Sequence, residues 1–321
     1  MSEQAGTINK KITLSRSLKQ FISTLSGLVV LLVIFGIGNR NFITTGNLLN
    51  VAVQTTPILL IAIGQTYVLI SGGIDLSIGS NIALAGVMTA ILMKAGVPVP
   101  IAIVAGIMAV AIVGIANGAL VSFGKLPPFI VTLGTMTAVR GITLTITKGI
   151  PISGLPDGFN NIGISKTLGI PNPIYIMIIF AIIFGFILSK TKTGRYTYAL
   201  GSNAEAARLS GVNSNFSLIK VYMFSAMLAG IAGLVMAARI ISAPPTAGMG
   251  YELDAVAASV IGGASTMGGE GTIAGTVIGA FIISVLRNGL NLMGISPFIQ
   301  QIVIGVVIVA AVFFDKIKHN N

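Results

Sequence analysis

Long stretches without a charged residue follow one another along the chain. They run from Phe21 to Gly38, Asn41 to Ile74, Leu76 to Met93, Ala95 to Gly124, Thr167 to Ser189, Gly271 to Leu286 and Asn288 to Phe314. A helix crosses a bilayer with about 20 mainly apolar residues, so several of these runs predict membrane spans. Stretches such as Ile174 to Leu188 show no alternation of polar and apolar residues. That argues against a transmembrane β-barrel, whose strands alternate. Helices satisfy their backbone polar groups within the segment, as lipid requires. The expected fold is all-α: a polytopic transmembrane helical bundle of about ten spans. They fall near residues 20–38, 47–70, 76–93, 98–122, 128–147, 172–189, 217–239, 253–267, 271–292 and 297–314.

Composition agrees with this pattern. Charged residues make up 8% of the 321, against 54% hydrophobic, whereas a soluble domain carries roughly 25% charged residues. The net charge of +11 reads as basic loops held on the cytoplasmic side and not as a nucleic-acid surface. With the N-terminus inside, Lys10, Lys11, Arg16, Lys19, Lys125, Lys190, Lys192, Arg195, Arg208, Lys220, Lys316 and Lys318 fall in the cytoplasm. Arg40, Lys94, Lys148, Lys166 and Arg239 fall outside, and Arg140 and Arg287 lie within spans. Both termini are therefore expected in the cytoplasm. The expected layout is an N-terminal tail over 1–19, a permeation domain over 20–315 with a cytoplasmic loop at 190–216, and a C-terminal tail over 316–321. The first apolar stretch is long for a signal-peptide core and ends in Gly38-Asn39-Arg40 without a small-x-small cleavage site, so it reads as a retained helix.

The eighth span differs from the others. Its most apolar piece, Ala255 to Ile261, is too short to cross at 1.5 Å per residue. The expectation is a half helix completed by Gly262-Gly263-Ala264-Ser265, with its broken backbone buried in protein or lining a cavity. Forty glycines point to close helix approach. Gly271, Gly275 and Gly279 line one face of the ninth span, and Gly114 and Gly118 one face of the fourth. A dimer contact through them is the alternative. The likeness of Gly72-Gly73-Ile74-Asp75 to Gly268-Gly269-Glu270-Gly271 is too slight to establish an internal repeat.

Enzymatic chemistry finds little support. Gly124-Lys125 is followed by Leu126 and lacks the rest of a phosphate-binding loop. There is no cysteine, and the single histidine, His319, stands in the C-terminal tail, so no metal site, cofactor site or membrane-embedded catalytic triad is expected. Asp75, beside flexible glycines at a membrane boundary, reads as an N-cap of the next helix or as a gating or ion-pairing group. Arg140 and Arg287 should face protein or water, with Asp75 and Glu270 as candidate partners. Neutral hydrogen-bonding residues inside the spans suit a neutral polyhydroxylated cargo or serve as interhelical contacts. Gln54, Gln65, Asn81, Asn288 and Asn291, with Asp75, are the candidate gating or translocation path.

The loop at 190–216 contains Gly201-Ser202-Asn203-Ala204-Glu205-Ala206-Ala207-Arg208-Leu209-Ser210-Gly211. Ser202 and Glu205 have capping-box spacing, Glu205 and Arg208 can pair at i, i+3, and Gly211 is placed to stop the helix. A short capped helix that spans nothing reads as a docking element for a partner.

Glu205-Ala206-Ala207-x-x-x-Gly211 resembles the core of the loop by which permeases of ATP-binding-cassette (ABC) importers dock on their ATPase. Gly194 to Gly201, Gly72 to Ser77, Pro244 to Ala255 and Asn288 to Leu292 resemble permeases of the ribose/xylose/galactose class. The likeness extends from about Phe42 to Lys316. The Ile-x-Leu-Pro tail of the broader loop motif is absent, with Asn213 to Ile219 in its place. The resemblance implies a transport subunit, not an enzyme, in a bacterial cytoplasmic membrane. The implied partners are a separate ABC ATPase, an external sugar-binding protein and a second copy of the chain. Ser202, Glu205, Ala206, Ala207, Arg208, Leu209 and Gly211 would couple it to the ATPase. Likeness to ribose permeases across Ala243 to Asn291 makes ribose the expected cargo; xylose, galactose and autoinducer-2 stay open, as does an ion-coupled secondary transporter.

Overall fold

The computed structural model describes residues 16–320. Residues 1–15, with Lys10 and Lys11 of the expected N-terminal tail, and Asn321 lie outside the described residues, as do the side chains of Arg16, Lys19 and His319.

The chain builds α1 (Arg16–Gly38), a 3-10 turn (Arg40–Ile43), α2 (Thr45–Ile70), α3 (Ile78–Lys94), α4 (Val99–Ser122), α5 (Pro128–Thr147), α6 (Asp157–Ile164) and α7 (Asn172–Lys190). It continues with α8 (Lys192–Ser202), α9 (Ala204–Leu209), α10 (Ser214–Ile240), α11 (Tyr251–Ile261), α12 (Ile273–Leu292) and α13 (Pro297–Asn320). Proline occupies the first turn of α4, α5 and α7, where a missing N–H costs nothing. Among the described residues, seven helices are long and apolar enough to cross a membrane: α1, α2, α4, α5, α7, α10 and α12. The chain is thus an all-α polytopic membrane protein. α13 runs on past Lys316, so the expected start of the C-terminal tail is not a break in the backbone. Among the described residues, strands are confined to two short antiparallel pairs, β1 (Ile152–Ser153) with β4 (Ser242–Ala243), and β2 (Lys166–Thr167) with β3 (Ile170–Pro171).

α2 is buried over nearly all its length, and α10 and α12 over most of theirs; α1, α4, α5 and α7 expose most of their apolar surface. That is the distribution expected when outer helices face lipid. α2 and α10 are antiparallel: Gly64 lies on Ser225, while Asn50 meets Arg239 near the other end. Glycine permits the contact, because a Cβ on Gly64 would come within 2.7 Å of the Ser225 Cα.

Each of these central helices is followed by a reversal and a helix that starts inside the bundle. After Ile70 the chain turns at Gly72, whose φ is +85°, and residues 73–77 return without helical bonds past Tyr222 and Ser225. α3 then runs alongside α10, with Ile82 on Gly233 and Gly86 beside Ala237. After α10, Pro244 and Pro245 cannot prolong a helix. Residues 244–250 turn back beside α3, where Gly248 lies on Gly79 and Ile82, and α11 starts at Tyr251. The first unit returns in one direction and the second in the other, so the starts of α3 and α11 meet around Gly79, Gly248 and Glu252.

α11 has 11 residues and a length of ~16 Å, so the half helix is present. Its irregular companion is not where the sequence suggested. The returning segment precedes the helix at 244–250, whereas 262–272 form turns that fold onto the end of α2 through the Gly269 N–H and the Ile70 carbonyl, 2.9 Å apart.

The glycine stripe of α12 packs within the chain. A Cβ on Gly275 would strike the Gly262 carbonyl, and one on Gly279 the Ala258 carbonyl. Gly114 and Gly118 face Tyr222, Met223 and Ile219 of α10 in the same way. Gly279→Val is therefore expected to push α11 off α12 and cost about 1–3 kcal/mol, read as a lower melting temperature in detergent. An unchanged melting temperature would show that the contact is slack.

Candidate functional site

The basic loop builds two consecutive helices at the end of the bundle carrying Lys125, Lys190, Lys192, Arg195 and Lys220. α8 is seated by its glycine: Gly201 lies directly on the Ile70 carbonyl and beside the Gly269 N–H. The Tyr198 hydroxyl donates to the Gly271 carbonyl at 2.6 Å, and burial pushes this phenol above its ordinary pKa, so it remains a donor. α8 therefore touches the chain just before the first reversal and just after α11.

α9 follows directly and leaves most of its surface bare. Ala207 is its one buried residue, while Ser202, Glu205, Ala206, Arg208 and Leu209 are exposed, Leu209 at 75%. Its N-terminus corrects the expected capping box. Ser202 is the last residue of α8, and Asn203 is the cap, with extended backbone and Oδ1 accepting from the Ala206 N–H at 2.9 Å. A capping-box glutamate needs a free N–H on the capping residue, but the Asn203 N–H already donates to the Ala199 carbonyl of α8. Glu205 also stands one residue too early for that role, and no ion pair joins it to Arg208. The C-terminus forms as expected. Gly211 has φ +84°, its N–H donates to the Arg208 carbonyl, and the Val212 N–H donates to the Ala207 carbonyl, the two bonds of a Schellman motif.

Asp75 lies in the first reversal and is fully buried. The N-cap of α3 is Ser77, not Asp75. Asp75 serves the cap instead: Oδ1 accepts from the Ser77 N–H at 2.9 Å and from Ser77 Oγ at 2.6 Å. Oδ2 accepts from Ser225 Oγ of α10 at 2.8 Å. Ser77 Oγ in turn accepts from Asn81 Nδ2 and Asn117 Nδ2, Gln65 Oε1 accepts from the Asp75 N–H, and Thr132 of α5 donates to the Ile74 carbonyl. The reversal is thereby fastened to four neighbouring helices. No carboxylate relay continues from it.

Of the six candidate path residues, Asp75, Gln65 and Asn81 come together in this network. Gln54 does not join them; it lines a cavity of about 230 Å³ bounded by α2, α10, α11 and α12. Asn288 accepts from Asn47 Nδ2 at 2.9 Å, and Asn291 is exposed at the end of α12.

The two intramembrane arginines have partners other than those the sequence suggested. Arg140 of α5 bonds no carboxylate. It donates from Nη1 to the carbonyls of Pro245 and Ala247 at 2.6 and 2.9 Å, and from Nη2 to that of Gly79 at 3.0 Å. One guanidinium thus joins the first turn of α3 to the returning segment 244–250 where they meet. Arg287 of α12 places Nη2 against both carboxylate oxygens of Asp254, at 2.8 and 2.7 Å. Asp254 is wholly buried on α11. A carboxylate in a weakly apolar half helix was the sequence signal for this pair, but the i to i+33 separation hid the partner.

Comparison with known proteins bears on what this arrangement serves. Residues 47–312 match the family described as "Branched-chain amino acid transport system / permease component". The chain is 43% identical to the ribose import permease protein RbsC of Bacillus subtilis (strain 168), covering 99% of each chain. It is 44% identical to the RbsC of Escherichia coli (strain K12), over 92% of this chain and 94% of the relative. The D-allose transport system permease protein AlsC of the same strain is 40% identical over 90% of each. No solved structure matches. With most of its length matched and relatives of this identity along nearly all of it, the chain belongs to this family of transport-system permease components.

Proposed function

We propose that the chain is the membrane-spanning permease subunit of an ATP-driven importer of a monosaccharide, with ribose as the first candidate, and that it works by alternating access. The observation that carries this reading is the bare α9, seated through α8 on the end of α2 before the first reversal and on the turns after α11, in a chain so similar to ribose import permeases. α9 would enter a partner ATPase. A push on it reaches Ile70 and Gly269 through Gly201, and so reaches the first reversal and the turns after α11 at once. Gly72 and Gly262 are the candidate hinges, and binding protein would deliver sugar at the far end, near 39–47, 149–171 and 242–253.

In this reading α3 and α11, each with its returning segment, make one crossing apiece. With α13, that gives ten crossings and both termini in the cytoplasm of a bacterial inner membrane, with the basic end inside as the charge bias requires. Two copies of the chain would assemble with two ATPase domains.

Vesicles containing this chain, its ATPase and the binding protein should accumulate radiolabelled ribose only with ATP on the ATPase side, with weak competition by xylose or galactose. Uptake of another sugar, such as allose, would replace the cargo and keep the mechanism. Uptake that a protonophore abolishes while ATP is irrelevant would identify a secondary transporter instead.

A further inference from the structure

We infer that the cavity between α2, α10, α11 and α12 is a monosaccharide subsite within the permease itself, a resting point for the sugar on its way across. This rests on the sugar-importer reading and adds to it a place and a set of contacts.

The cavity holds about 230 Å³ and is lined by Gln54, Pro57, Arg239, Tyr251, Ser284 and Arg287, among others. Drug-sized ligands occupy pockets of roughly 300–1,000 Å³, so this one suits a single small sugar and not a disaccharide. Three features show hydrogen-bonding capacity held in reserve. Ser284 Oγ and Arg287 Nε are both buried without a partner, and they stand three residues apart on α12, hence on one face. Arg287 spends only Nη2 on Asp254, which pins the guanidinium and leaves its other edge unbonded. On the facing helix, Pro57 has no N–H to give the Val53 carbonyl, and both residues line the cavity.

A buried polar atom left unpaired is costly, and two such side-chain atoms, with a carbonyl that Pro57 cannot bond, suit a shared occupant of one small space. Two donors and a carbonyl acceptor match adjacent sugar hydroxyls, each of which donates and accepts. Asp254 balances the Arg287 charge, and Arg239 spends one donor on the Asn50 side chain and keeps others for a hydroxyl. Val53, Ile58, Val235 and Met236 supply an apolar wall for the C–H face of the ring. The cavity also lies near the end of α10 where Arg239 meets Asn50, the side from which binding protein would deliver sugar.

The chain contains no cysteine, so Gln54→Cys introduces a single thiol at the cavity wall. In vesicles holding the full complex, a small uncharged thiol reagent should modify it, and ribose should slow the modification where an equal concentration of urea does not. Ser284→Ala should lower ATP-driven ribose uptake by about fivefold to tenfold, the loss of one hydrogen bond. Ribose uptake with no protection of the thiol and a wild-type rate in Ser284→Ala would overturn the subsite and keep the importer. Protection by ribose without ATP-driven uptake would keep the subsite and remove the importer. A thiol that never reacts, or that urea protects equally, would show a sealed or merely hydrated void and overturn the subsite.

Discussion

Arg287→Ala is expected to destabilise the chain by about 3 kcal/mol, seen as early unfolding in a thermal melt of the detergent-solubilised protein. Asp254 is a carboxylate with no exposed surface on a half helix packed against α12. Its charge is answered by one group, the Arg287 guanidinium, with both oxygens on Nη2. Removing the arginine strands the carboxylate where neither water nor lipid can solvate it. The figure sits at the low end for a broken buried pair because Arg287 is itself 34% exposed. The double variant Asp254→Leu/Arg287→Met should recover most of the loss, since replacing both partners removes the unpaired charge. A single variant as stable as wild type would mean that another group answers Asp254 when Arg287 is gone.

Gly211→Val should abolish ATP-driven uptake, by more than about tenfold, while the protein still inserts and assembles its bundle. A β-branched residue at φ +84° costs ~1–3 kcal/mol, and the chain relieves that strain by opening the Arg208–Gly211 and Ala207–Val212 bonds that end α9. The docking helix then loses its exit direction toward α10, although nothing in the apolar bundle is touched. Glu205→Lys tests the same surface without strain: Glu205 is exposed and its side chain makes no bond among the described residues, so its reversal should act on a partner. Uptake at the wild-type rate in both variants would remove α9 from the coupling path.

The helices that face lipid were legible because their signal is one of length: α4 and α7 follow their uncharged runs to within about five residues. Asp75 and Ser202 were harder. Both looked like helix caps, and in both cases a neighbour took the role: Ser77, whose N–H and hydroxyl Asp75 holds, and Asn203, because Ser202 was still part of α8. Local capping patterns cannot show where the preceding helix stops. Arg140 was harder still. Its partners are backbone carbonyls more than 60 residues away along the chain, and a carbonyl leaves no mark in a sequence. The cavity was visible only as Gln54; Ser284 and Arg287 became candidates once α12 was placed opposite α2.

The three bonds of Arg140 have a mechanical consequence. A single rigid fork grips Gly79 on one side and Pro245 and Ala247 on the other, so the two segments cannot separate by even an ångström or two without losing charge-assisted bonds. They behave as a keystone. Whatever tilts the surrounding helices must carry this block intact and bend at the turns on either side of it. A lysine would hold one carbonyl well and drop the rest, since a point charge on a flexible stem cannot clasp two directions at once.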